Sequence, residues 1–76
     1  MTLSEQEFSV LDAMARLHAD HGEYLRLDTI AGALPNEDLP VVANVIHGLE
    51  RKQFVELDGR ERATITEFGG AALKAM

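Results

Sequence analysis

Cysteine is absent from the 76 residues. That excludes disulfides and thiolate metal sites, and it fits a cytoplasmic location. No apolar run approaches the roughly 18 residues that a membrane span needs, so no membrane association is expected. The start, Met1-Thr2-Leu3-Ser4-Glu5, lacks both a basic and an apolar region, so no signal peptide is expected either. Serine is limited to Ser4 and Ser9, and there is no glycine-rich phosphate loop or obvious carboxylate pair. These gaps leave little basis for catalysis. No enzyme activity and no cofactor are expected. Tryptophan is missing, and three phenylalanines and one tyrosine are the only aromatic residues. Only two prolines interrupt the chain.

Positive charge is also scarce. Seven Lys and Arg face thirteen Asp and Glu, for a net charge of −6. Residues 1–40 hold eight acids and two bases, whereas residues 41–76 hold five of each. Overall acidity counts against nucleic-acid binding, because phosphate contacts supply most of that affinity. The distribution softens the objection. Arg51, Lys52, Arg60 and Arg62 place four of the seven bases within twelve positions.

What is present reads as one small domain over residues 1–76. The apolar fraction, 46%, is that of a globular chain. Ser4-Glu5-Gln6-Glu7 has the form of a capping box, with Leu3 and Phe8 placed to staple the entry. Helical spacing from Phe8 through Leu11 and Met14 to His18 predicts a first helix over 4–21, ended by Gly22. Tyr24-Leu25-Arg26-Leu27 alternates as a short strand. Asp28 suits the N-cap of a short second helix that Pro35 stops. Asn36-Glu37-Asp38 forms a turn, with Asp38 or Asn36 as the next cap. Leu39, Val42, Ile46 and Leu49 define the inner face of a third helix over about 39–53. The period then changes. Phe54-Val55-Glu56-Leu57 and Arg62-Ala63-Thr64-Ile65-Thr66 flank Asp58-Gly59 as a hairpin, with Ala63 and Ile65 on one side. Thr66 caps a last helix, which Gly69-Gly70 weakens.

This order predicts an α+β, mostly α fold: a winged helix-turn-helix with a three-helix core, a two-stranded hairpin wing and a C-terminal helix. Three segments carry a closer likeness: Leu49-Glu50-Arg51-Lys52-Gln53-Phe54-Val55, Asp58-Gly59-Arg60-Glu61-Arg62, and Ile65-Thr66-Glu67-Phe68-Gly69-Gly70-Ala71-Ala72-Leu73. Together they resemble winged-helix transcription regulators of the multiple-antibiotic-resistance (MarR) type. The resemblance is clearest over 39–73. It implies that the third helix enters the DNA major groove, that the wing touches backbone or minor groove, and that a homodimer reads two half-sites. Pro40, Val41, Asn44 and Val45 would then face bases, and Arg51, Lys52, Arg60 and Arg62 would face phosphates. The chain departs from the family at Gln53, where a glycine is usual, so the helix end is expected to be closed in another way. The outer face of the third helix is also poor in donors. The chain has no room for the long terminal helices through which such regulators dimerise.

The same residues have plainer readings. Arg51 and Lys52 suit a helix C-terminus, and Arg60, Glu61 and Arg62 suit a solvated hairpin tip. His47 reads as a half-buried helix residue. His18, Asp20, His21 and Glu23 have the spacing of a metal site, but His18 reads more simply as packing beneath the last turn of the first helix. Exposed Pro40, Val41 and Val45 would also suit a protein partner. The second functional reading is therefore a winged helix used for protein–protein interaction, its acidic first half meeting a basic partner.

Overall fold

The structure, a computed structural model, describes residues 3–20, 22–35, 37–59 and 61–75. Among these residues the chain is α+β and mostly helical. Its elements are α1 (Glu5–Arg16), β1 (Leu25–Arg26), α2 (Leu27–Gly32), α3 (Leu39–Arg51), β2 (Val55–Asp58), β3 (Arg62–Ile65) and α4 (Glu67–Lys74). His21, Asn36 and Arg60, which the sequence marked as a metal-site candidate, a cap and a phosphate contact, lie outside the described residues.

The capping box forms as expected. The Glu7 amide donates to Ser4 Oγ at 3.1 Å and the Ser4 amide to Glu7 Oε1 at 3.0 Å. The far end of α1 comes five residues earlier than its periodicity suggests. His18, not Gly22, takes the left-handed position after the helix, with φ 61°. The His18 amide donates to the Ala15 carbonyl and the Ala19 amide to the Met14 carbonyl, which closes a Schellman motif. The early stop places Ala19 fully inside the core. It also lets the Ala19 carbonyl accept from the Ile65 amide at 2.7 Å and from Thr64 Oγ1 at 3.2 Å. His18 itself is exposed and does not pack beneath the helix.

Arg26, not Asp28, is the N-cap of α2, and its side chain makes no capping bond. Asp28 lies inside the helix and pairs with Arg26. α2 follows β1 directly, so the helix begins two residues sooner than the sequence suggests.

The short strand and the hairpin form one antiparallel sheet in the order β1-β3-β2. Leu25 and Arg26 pair with Ala63 and Arg62, while Val55 to Asp58 pair with Ile65 to Arg62. β3 is therefore the central strand. Burial follows: Ala63, Thr64 and Ile65 are all inside, so β3 does not alternate as a two-stranded hairpin would.

One core joins these layers. Val10, Leu11 and Met14 of α1 meet Ile30 of α2, Val42, Ile46 and Leu49 of α3, and Phe54, Val55, Ala63 and Ile65 from the hairpin region. Leu39 keeps the helical spacing of the inner face but is 44% exposed, at the open end of α3 where no layer covers it. No helix among the described residues is long and apolar enough to cross a membrane.

Candidate nucleic-acid interface

α3 is the next element after α2 and starts at Leu39 behind the N-cap Asp38, with Pro40 in its first turn, where a missing amide costs no helical bond. Once Val42, Ile46 and Leu49 are buried, helical geometry fixes what faces out. Pro40, Val41, Asn44, His47 and Arg51 are exposed, and Val45 is half-buried. His47 is thus a surface residue, not a half-buried one. Asn44, His47 and Arg51 follow at spacings of three and four, which places an amide, an imidazole and a guanidinium on one stripe.

The end of α3 is built differently from the expectation. Gln53 adopts φ 66°. Its amide donates to the Glu50 carbonyl at 2.9 Å, and the Phe54 amide donates to the Leu49 carbonyl at 3.0 Å. This is the left-handed closure a glycine would make, formed by a residue with a Cβ. The turn buries Phe54 and sends the chain into β2.

Lys52 does not join the exposed cations. Its Nζ donates to both Glu7 oxygens, at 2.8 and 2.7 Å, and the two side chains are 30% and 15% exposed. Burial opposes ionisation of the Glu7 carboxyl. The Lys52 ammonium and the Ser4 amide and hydroxyl more than offset that, and they hold its pKa below the ordinary value. Lys52 therefore ties the end of α3 to the start of α1. Releasing it to a phosphate would strand a carboxylate that is largely out of water.

Arg62 is exposed at the start of β3, with Arg26 opposite on β1 and Asp58 opposite on β2. Arg26 was not singled out by sequence, because only strand pairing brings it beside Arg62. Its Nη2 lies 3.1 Å from Asp28 Oδ2. Arg16 is similarly engaged, 2.9 Å from Asp12. Among the described cations, Arg51, Arg62 and Lys74 form no ion pair with a described residue. Of the cations grouped at 51–62 in the sequence, Lys52 is held by Glu7, whereas Arg51 and Arg62 are exposed. Carboxylates adjoin both, Glu50 beside Arg51 and Asp58 across from Arg62.

The arrangement offers an uncovered helix face with three hydrogen-bonding side chains, an apolar first turn and sparse positive charge. Compared with known protein families, with curated proteins and with solved structures, the chain matches none.

Proposed function

We propose that the chain is a winged helix-turn-helix domain that binds double-stranded DNA as a transcription regulator, of the kind the MarR-type resemblance implies. α2 and α3 are the helix-turn-helix, and the β2–β3 hairpin is the wing. The observation that carries this reading is the uncovered Asn44–His47–Arg51 stripe on the second helix of that pair. A helix of this diameter fits the major groove. Asn44 would pair bidentately with adenine, and Val41, Val45 and Pro40 would meet thymine methyls. Arg51, Arg62 and Arg60 would contact phosphates. A homodimer would span two half-sites.

Affinity would carry the mark of the missing lysine. Three phosphate contacts per subunit give a slope of log K against log salt of about −2.7, against about −3.6 if Lys52 also contributed. Titrating labelled duplex DNA from low to physiological salt measures it. A slope near zero, or no complex at low salt, overturns the reading.

A second reading is favoured by a different observation. Leu39 and Val41 are two of the three large apolar side chains exposed among the described residues, and both sit on the first turn of α3. With a net charge of −6, that turn would suit a protein partner carrying basic residues around an apolar groove. Leu39→Ser would then abolish partner binding, whereas in the DNA reading it leaves the salt slope unchanged.

A further inference from the structure

An open groove of about 920 Å³ lies between the sheet and α4, on residues that the DNA reading does not use. Its deeper lining is apolar: Ile65 is buried, and Ala15 and Leu73 are half-buried. The rest of the lining is acidic. Asp20, Glu56 and Glu67 contribute to it, and among the described residues Lys74 is the only base there. Half-buried Tyr24 stands in the same lining. Its hydroxyl donates to the Glu56 carboxylate. That hydrogen bond, then desolvation and the charges of Glu56 and Asp58, push the phenol above its ordinary pKa, as a negative potential in the groove requires.

Charge and surface together select the occupant. No group of three His, Asp or Glu side chains among the described residues could hold a metal ion, so the negative charge is spread along the groove and not focused on one point. A second copy of the chain brings six more net negative charges and is repelled. An arginine or lysine side chain matches both features. Its hydrocarbon stem covers apolar surface while its head stays among carboxylates, and a guanidinium also stacks on a tyrosine ring. The seven steps from Glu67 to Lys74 rise about 10 Å, the length of about three residues of extended chain. We propose that the groove docks a basic, extended segment of a partner protein, with one Arg or Lys stem against Ala15, Ile65 and Leu73 and its charge held between Glu56 and Glu67. Lys74 sets a like charge at the far end of α4 and so limits the affinity. The groove shares no residue with the exposed face of α3, so the inference does not depend on DNA binding.

Titrating the isotope-labelled full chain with the acetylated, amidated peptide Ala-Arg-Leu-Arg-Ala, followed by amide shifts in NMR spectra at low salt, tests it. The shifts of Tyr24, Glu56, Thr64 and Glu67 move together, with a dissociation constant of about 1 mM or tighter. The same peptide with glutamine in place of both arginines does not bind. Glu56→Gln with Glu67→Gln, both at exposed positions, weakens binding about tenfold. Asp38→Asn with Glu50→Gln removes the same charge from exposed positions outside the groove and changes affinity less than about twofold. Lys74→Gln, which removes the competing ammonium, strengthens binding about twofold. Circular dichroism confirms that each variant is folded. No shift in wild type at about 5 mM peptide overturns the proposal, and so do shifts centred away from the groove. A control pair that weakens binding as much as the groove pair also overturns it, because net charge alone would then explain the attraction. So does a Lys74→Gln variant that binds more weakly than wild type.

Discussion

Two residues with side chains occupy positions that favour glycine. His18 and Gln53 both close helices at φ near +60°, where a Cβ meets the following carbonyl at a cost of roughly 1–2 kcal/mol. Glycine avoids that clash but loses more backbone entropy on folding, so the net gain from substitution is smaller. Gln53→Gly is expected to stabilise the fold by about 0.5–1 kcal/mol, read as a higher urea midpoint with unchanged slope. Gln53→Val, with a branched Cβ in the same place, should lower the midpoint. The adjacent glycines of α4 make the converse point. Gly69 packs where a Cβ would overlap the Phe54 carbonyl oxygen and stand 3.0 Å from Ile65 Cγ2. Gly69→Ala should therefore cost about 1–3 kcal/mol through forced backbone movement. Gly70→Ala meets no obstacle and should add about 1 kcal/mol at micromolar concentration, from helix propensity alone. Equal effects in the two urea titrations would contradict this packing.

Between elements, the α1–α3 junction carries the clearest electrostatic signature. Glu7 closes the α1 cap and also receives Lys52 from the end of α3, so one carboxylate serves both local and tertiary structure. Its folded pKa lies below the ordinary 4.5. A depressed carboxylate contributes stability that is complete above the unfolded pKa and disappears as pH falls through the folded one. Stability should thus decline on acidification below about pH 4.5, and part of that decline should vanish in Lys52→Met. That variant should also lose about 1–2 kcal/mol at neutral pH, since the pair is mostly buried. Urea titrations of both proteins at pH 7 and pH 3.5 measure the two effects. A Lys52→Met profile parallel to wild type would show that the pair adds no pH dependence. The β3–α4 junction is held by hydrogen bonds and ring contact. Thr66 Oγ1 donates to the Gln53 carbonyl at 2.7 Å and accepts from the Gly69 amide at 3.0 Å. Phe68, though 55% exposed, lies with its ring centroid 5.1 Å from that of buried Phe54.

For the whole molecule, the decisive quantity is how many cations are free to meet a polyanion. An acidic chain that ties Arg16, Arg26 and Lys52 to its own carboxylates has little non-specific attraction to DNA. Recognition would then rest on the α3 face more than on charge. Under the proposed function, Arg62→Ala should reduce the salt slope by about 0.9, and Lys52→Met should leave it unchanged. The same titration with both variants checks this. A slope that falls with Lys52→Met would mean that the ammonium leaves Glu7 on binding.

The order and type of the elements were legible in the sequence because they rest on local signals. The Ser4–Glu7 capping box, the Val42–Ile46–Leu49 spacing, the hairpin around Asp58-Gly59 and the Thr66 cap each depend on a few neighbouring residues. Where α1 ends, why β3 is buried on both sides and how Gln53 closes α3 were settled by packing across the chain. The Ala19 carbonyl is claimed by residues 45 positions or more away, and β1 becomes a strand only through its pairing with β3. The fate of the charges was likewise tertiary. Arg51 and Lys52 are neighbours in sequence, yet about 100° of helical rotation separates them, and that turn sends one to solvent and the other onto Glu7. Sequence fixes how many charges a chain carries; only the fold decides which of them remain available to a partner.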